Sequence, residues 1–242
     1  MAQPPTKKPR LSHPNAKPIA VALDLDESLI SSGGVASLCF DALYKLDPDS
    51  EVPFQVFVDH YLAIGGARPG LIEFLKTLED WQGKNRIGQV VIYTASNNKK
   101  GWVTFLQECL EVYAGTPGLF GDCLCRDQCK LVKTEKGTFV YEKDLAKVAS
   151  GFRVVIFEDK PEYVTNGFSI KLPPYTQAVC TEALEEWIKA RIPMHASLIA
   201  TALETDRINY PGSSVDQSQD NSLWLGLQLL AKVIRGIALP PP

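Results

Sequence analysis

Three short apolar runs constrain the fold of this chain more than any other feature of its sequence. They occupy residues 19–23, 88–93 and 152–157, and each contains valine and isoleucine. Runs of this length and composition predict strands that are buried on both faces, as in parallel sheets. Residues 71–78 and 102–113, which lie between the runs, carry apolar side chains at helical spacing. Strands that alternate with helices predict an α/β fold in which helices flank a parallel sheet.

The chain divides into four predicted regions. Its 242 residues, 45% of them hydrophobic, are enough to bury one sizeable core, which we expect over residues 18–174. Residues 1–17 are rich in proline and basic side chains and predict a flexible tail. Residues 175–220 predict a helical insertion that ends in a loop, and residues 221–238 predict a final helix that packs on the α/β domain.

Two segments depart from the alternation of strands and helices. The stretch 31–66 contains the β-rich segment 52–61 after a Ser-Ser-Gly-Gly turn, so we expect a small β insertion after the first strand. Residues 122–141 alternate apolar and polar side chains around Lys136 and Gly137, which predicts a hairpin.

Composition argues against several classes of protein. The net charge of −3 disfavours strong nucleic-acid binding, because domains that neutralise many phosphates carry a basic excess. No run reaches the roughly 18 consecutive apolar residues of a membrane span, so no membrane partner is expected. Six cysteines without a signal-peptide pattern suggest free thiols in an intracellular protein. The cluster Cys123, Cys125 and Cys129 lacks a CxxC pair, which favours packed thiols in a half-buried strand over a zinc site.

The first residues contain the basic run Lys7-Lys8-Pro9-Arg10. Such a run is typical both of nuclear-import signals and of solvated tails. The run favours a nuclear location, with the cytoplasm as the alternative.

Polar residues follow each of the three predicted strands. In open parallel sheets, ligands bind beyond the carboxyl ends of the strands, so these residues are the first candidates for a functional site. The first strand is followed by Asp24 and Asp26, the second by Thr94 and Ser96, and the third by Glu158 and Asp159.

Phosphoryl transfer through a carboxyl-phosphate is the chemistry that suits this set. Asp24 would be the nucleophile, Asp26 a general acid and then a base, and Thr94 a hydroxyl donor to the phosphoryl group. A carboxylate that attacks a phosphate must overcome charge repulsion, so a hard divalent cation and a fixed positive group are needed. The predicted metal ligands are Asp24, Asp26 and Asp159, with Glu158 in an outer contact that shapes the site.

Each of these residues also has a simpler interpretation. Asp24 and Asp26 could cap a turn after a strand, and Thr94 could be an ordinary turn hydroxyl. Several lysines compete for the role of fixed cation, although most lysines are solvated surface charges. The competing lysines are Lys130, Lys133, Lys136, Lys143 and Lys147.

The segment Asp24-Leu-Asp26-Glu-Ser28-Leu29 resembles the first motif of the haloacid-dehalogenase (HAD-like) superfamily, in the form found in the RNA polymerase II C-terminal-domain phosphatases and NLI-interacting-factor-like proteins. Further segments resemble the same family in the same order over roughly residues 18–172 and the final helix. These segments are Phe54-Gln-Val-Phe-Val58, Arg68-Pro69-Gly70, Tyr93-Thr94-Ala95-Ser96, Cys125-Arg126-Asp-Gln-Cys129, Tyr141-x-Lys143-Asp144-Leu145 and Val154-Val-Ile-Phe157-Glu158-Asp159.

The resemblance implies a Mg²⁺-dependent phosphatase of phosphoserine or phosphothreonine proteins, with the RNA polymerase II C-terminal domain as one candidate substrate. It implies Lys143 as the fixed cation and assigns Ser96 and Arg68 to substrate binding. The sequence departs from the family at Glu158-Asp159, where small members have Asp-Asn, and in the extra stretch 175–219.

Three functions therefore compete. They are a protein phosphatase, a phosphatase of a small ester or nucleic-acid end, and a non-catalytic module that binds phosphate. The short separation of Asp24 and Thr94 leaves little room for a lid domain, which favours a bulky substrate. The presence of both carboxylates of the first motif disfavours the non-catalytic module.

Overall fold

The structure, a computed structural model, describes residues 17–31, 52–176, 186–187, 189–191, 200 and 219–236. Its main elements in chain order are β1 (Ile19–Leu23), α1 (Val52–Tyr61), α2 (Leu71–Gly83), β2 (Gln89–Ile92), α3 (Trp102–Ala114), β3 (Lys130–Lys133), β4 (Phe139–Asp144), β5 (Arg153–Glu158), β6 (Val164–Thr165), β7 (Phe168–Lys171) and α4 (Ser222–Ile234).

The main sheet has four strands in the order β2-β1-β5-β7. All three pairings are parallel, and Val21 in the centre of β1 lies beside Val90 on one side and Val155 on the other. Every residue of β1 is buried, because strands flank it on both edges and side chains cover both of its faces. The three predicted strands and the parallel α/β fold are therefore confirmed.

The two faces of the sheet are covered differently. One face packs against α1, α2, α3 and α4, whose apolar stripes share a single core with alternate residues of the strands. Phe74 of α2, for example, meets the Phe157 ring edge-on at 5.1 Å. The other face, which includes Ala20 and Ala22, packs against Leu145 and its neighbours after β4. This division matters because β4 is thereby held beside the carboxyl ends of β1 and β5.

The β insertion predicted from segment 52–61 is wrong, because these residues form helix α1. Phe57, Val58 and Tyr61 are completely buried and recur at helical spacing, so tertiary packing outweighs the β propensity of the composition. The helix continues into a π-helical turn, Leu62–Gly66, in which Gly65 adopts a φ of 109°. The rest of the predicted insertion, residues 32–51, lies outside the described residues.

The hairpin predicted around Lys136 and Gly137 is confirmed. Strands β3 and β4 pair antiparallel, and Gly137 occupies the turn with a φ of 83°, a backbone conformation that glycine adopts readily. Strand β6 joins the outer edge of β4 in parallel, which completes a second sheet in the order β3-β4-β6.

The predicted final helix is observed as α4, which packs against β7 and α2. Gly226 lets it approach closely, since a Cβ atom there would lie 2.6 Å from the Phe157 ring. Tyr175, the first residue of the predicted insertion, is fully buried and donates its hydroxyl hydrogen to the carbonyl oxygens of Gly65 and Ala67. Trp187 packs on Phe57.

Most of the predicted insertion and the basic run Lys7-Lys8-Pro9-Arg10 lie outside the described residues. Among the helices that the structure does describe, none has both the length and the apolar content needed to cross a membrane.

Candidate active site

The polar ends of the three parallel strands meet at one edge of the main sheet. Asp24 follows β1, Thr94 lies just beyond β2, and Glu158 ends β5 with Asp159 directly after it. Because β1 lies between β2 and β5, Asp24 stands at the centre of this group. All four residues are buried, although three of them are carboxylates. Burial of several acids at one point is costly unless cations neutralise them.

Lys143 supplies one such cation from the neighbouring sheet. Its Nζ donates to Asp24 Oδ1 at 2.5 Å and to Glu158 Oε2 at 2.6 Å. Burial alone would lower the pKa of Lys143, but the two carboxylates outweigh that effect and raise it above its ordinary value. The competing lysines, Lys130, Lys133, Lys136 and Lys147, are all exposed. The structure thus brings to the carboxylates the lysine that the family resemblance singles out.

Lys143 does not cancel the effect of burial on the pKa values of these acids. Burial raises the pKa of Asp24 above its ordinary value, and Lys143 opposes the rise. Burial, followed by repulsion from Asp24, raises the pKa of Glu158 to about 8, again against the effect of Lys143. Both shifts have the sign expected of carboxyl groups that are buried close to one another.

The same acids could hold a metal ion. Asp24, Glu158 and Asp159 each offer a carboxylate oxygen, and these oxygens lie within 4.8 Å of one another. Asp159 Oδ2 is buried and accepts no hydrogen bond in the described part of the chain, although Lys160 Nζ lies 3.3 Å away. A buried set of hard oxygen ligands at this spacing fits a cation such as Mg²⁺.

The side-chain group does not coincide with the predicted set of metal residues. Glu158, predicted as an outer contact, offers a carboxylate oxygen to the group, whereas the Asp26 carboxylate lies outside it. The roles of Asp26 as a ligand and of Glu158 as an outer contact stay predictions. Asp26 instead accepts a hydrogen bond from the Ser96 hydroxyl, and the Ser96 backbone N–H donates to Thr94 Oγ1 at 3.1 Å. The residues that follow β1 and β2 are therefore tied to each other.

Ser28 joins the ends of β1 and β5, a role that the sequence did not predict. Its hydroxyl donates to Asp24 Oδ2 at 3.1 Å and accepts from the Asp159 backbone N–H at 3.2 Å. The turn that carries Ser28 contains Glu27, whose φ of 61° is uncommon for a residue with a side chain. The position of Ser28 within the first motif, four residues after Asp24, was the signal that could have indicated this contact.

Arg68 is buried and joins three segments of the chain by hydrogen bonds. Its three nitrogens donate to Asp220 Oδ2 at 2.7 Å, to the Ser28 carbonyl at 2.7 Å and to the Pro173 carbonyl at 2.6 Å. Arg68 is only 1% exposed. These contacts give it a positioning role, since it links the Ser28 turn to the segment that precedes α4, and its predicted role in substrate binding stays a prediction.

The cysteine cluster lies beside the site. Cys125 is buried with its Sγ 3.7 Å from that of Cys123, and burial raises the pKa of Cys125 to about 12. The segment passes through a bridge and a short 3₁₀ turn, so the predicted half-buried strand is not observed. In the part of the chain that the structure describes, cysteines take no part in the candidate metal group.

Comparison with known proteins identifies the family of the chain. The model of the NLI interacting factor-like phosphatase family matches residues 19–190, which is more than half of the chain and includes every residue of the acidic cluster and Lys143. A search of curated proteins found no match. The chain therefore belongs to the NLI interacting factor-like phosphatase family and is a phosphatase.

Proposed function

We propose that the chain is a Mg²⁺-dependent protein phosphatase that removes phosphate from phosphoserine or phosphothreonine through a phospho-aspartate on Asp24. The observation that carries the proposal is the buried carboxylate of Asp24, which is held between Lys143 and Ser28 within a set of acids that could bind a divalent cation. A carboxylate restrained on both oxygens loses little conformational freedom when it attacks.

The first chemical step forms a bond between an Asp24 oxygen and phosphorus and breaks the bond between phosphorus and the serine or threonine oxygen. Asp26 gives its proton to the departing oxygen, and the Ser96 hydroxyl orients the Asp26 carboxyl for that transfer. In the second step Asp26 takes a proton from water, which attacks phosphorus, releases inorganic phosphate and restores Asp24.

Two groups of the chain would stabilise the phosphoryl oxygens. Lys143 presents a buried charge at Asp24, and Thr94 presents a buried hydroxyl at the end of the adjacent strand. A bound Mg²⁺, held by Asp24, Glu158 and Asp159, would supply the remaining positive charge that the acids and the phosphate require.

The proposal of a protein substrate rests on the short separation of Asp24 and Thr94 in the sequence, which leaves little room for a lid domain. Of the described residues between them, most form α1, α2 and β2, which pack in the core. A site without a lid domain would admit a protein segment. We propose the RNA polymerase II C-terminal domain as one candidate substrate. The basic run Lys7-Lys8-Pro9-Arg10 would direct the protein to the nucleus.

A substrate panel tests the proposal. Phosphate release is measured with phosphoserine, phosphothreonine and phosphotyrosine peptides, nucleotides and 3′-phosphorylated oligonucleotides, each with Mg²⁺ or with chelator. The Asp24→Asn variant should be inactive because an amide is a poor nucleophile, whereas the exposed control Asp122→Asn should match the parent. Turnover by Asp24→Asn would refute the covalent route. Preference for oligonucleotides or nucleotides would refute the protein substrate.

A further inference from the structure

The hairpin of β3 and β4 carries an exposed apolar face. In its register Leu131 pairs with Tyr141 and Lys133 pairs with Phe139. Because side chains alternate along a strand, these four residues project from one face, and Lys143 is the next residue of β4 on that face. Leu131 is 55% exposed and Phe139 is 65% exposed, while Lys143 is buried against Asp24.

Arg126 connects this face to the rim of the active site. Its guanidinium lies 4.9 Å from the centre of the Tyr141 ring, and its Nε donates at 2.7 Å to the carbonyl of Ala95, between Thr94 and Ser96. Along β4 the rise per residue places Tyr141 about 7 Å and Phe139 about 13 Å from Lys143. We call Arg126, Leu131, Lys133, Phe139 and Tyr141 the hairpin face.

The charges of the hairpin are separated between its two faces. The acidic residues of β4, Glu142 and Asp144, alternate to the side opposite Phe139 and Tyr141. Lys130 also lies on that opposite side, 3.9 Å from Glu142. The hairpin face therefore combines apolar side chains with the cations Arg126 and Lys133, and it complements a segment that is both apolar and acidic.

We infer that the hairpin face binds the part of a phosphoprotein substrate that flanks the phosphorylated residue. The inference rests on the proposed function and adds to it a preference for certain residues near the phosphorylated one. The distances from Lys143 correspond to a large apolar side chain about two to four residues from the phosphoserine, with acidic residues beside it. An exposed apolar face that is continuous with a catalytic site is most simply covered by the substrate itself.

The test compares the parent with the variant Leu131→Ser/Phe139→Ser on three probes. These are an acidic phosphoserine peptide with leucine and phenylalanine near the phosphoserine, a phosphoserine peptide with Gly-Ser flanks, and p-nitrophenyl phosphate. The parent should prefer the acidic apolar peptide. The variant should lose about tenfold or more in kcat/KM on that peptide alone, since each lost apolar contact weakens binding several-fold. Val112→Ser, which alters an exposed apolar residue on α3, is the matched control and should behave as the parent.

A charge variant gives an independent measurement. Lys133→Glu should lower kcat/KM on the acidic peptide and raise it on a basic counterpart, without a change on p-nitrophenyl phosphate. This variant carries the test if the double variant fails to fold, since Lys133 is exposed.

The outcomes separate the inference from the proposed function. Equal kcat/KM of parent and variants on the acidic apolar peptide overturns the inference, while hydrolysis of both peptides keeps the protein-phosphatase proposal. A parent that acts on p-nitrophenyl phosphate but on neither peptide overturns both. If the double variant changes the sedimentation coefficient but not peptide preference, a second copy of the chain covers the face and the inference is wrong.

Discussion

Replacement of Lys143 by methionine removes the buried charge and keeps most of the side-chain volume. The Lys143 side chain is 6% exposed and contacts Asp24 at 2.5 Å and Glu158 at 2.6 Å. Loss of one partner of a buried ion pair costs about 3–5 kcal/mol, because the remaining charge is left without compensation. In a domain of this size each kcal/mol shifts Tm by about 2–4 °C, so we expect Tm of the metal-free variant to fall by about 6–20 °C. The rate on p-nitrophenyl phosphate should fall by about 10²–10³ through the lost stabilisation of the phosphoryl oxygens.

Thermal unfolding followed by circular dichroism measures Tm, and urea unfolding measures the free energy of unfolding. Release of p-nitrophenol measures the rate. The control is Lys136→Met, which removes an exposed lysine from the hairpin turn and should leave both quantities near those of the parent. A Lys143→Met variant within about 1 kcal/mol of the parent would refute the assignment of Lys143 as the principal counter-ion of the acids. Unchanged turnover would remove it from the chemistry.

Three further predictions follow from the site and the core. Asp159→Ala should raise the Mg²⁺ concentration needed for half-maximal activity, and an unchanged metal requirement would exclude Asp159 as a ligand. Burial raises the pKa of Glu158 from 4.5 to about 8, so between these pH values the folded metal-free chain keeps a proton that the unfolded chain loses. The free energy of unfolding of the metal-free chain should therefore decrease as pH rises toward about 8. Mg²⁺ competes with that proton, and the rise in Tm that it causes should be larger at about pH 8 than at about pH 6; an equal rise at both would contradict this linkage. Gly226→Ala should destabilise the fold by about 1–3 kcal/mol in urea unfolding, because its Cβ would lie 2.6 Å from the Phe157 ring. Gly83→Ala in α2, where the Cβ meets no atom within 4 Å, should be neutral or stabilising, and equal effects of the two substitutions would refute the packing argument.

The sequence alone determined the sheet and the edge at which the site lies. Strands buried on both faces must consist of apolar runs, so β1, β2 and β5 were visible as short runs of apolar residues. Parallel strands place their carboxyl ends on one side, which is why Asp24, Thr94 and Asp159 could be grouped without coordinates. The hairpin was visible for the same local reason, since alternation and a turn glycine act within a few residues.

Only the tertiary structure decided that segment 52–61 is helical and how the acids are paired. Segment 52–61 has the composition of a strand, but burial of Phe57 and Tyr61 on one stripe makes it the helix α1. Glu158 is paired with Lys143, which reaches it from β4 in a second sheet. Arg68 donates a hydrogen bond to Asp220, which lies far from it in the sequence. These outcomes depend on contacts between segments that are far apart in the chain. The periodicity and motifs of a sequence, in contrast, depend on residues that are close together in the chain.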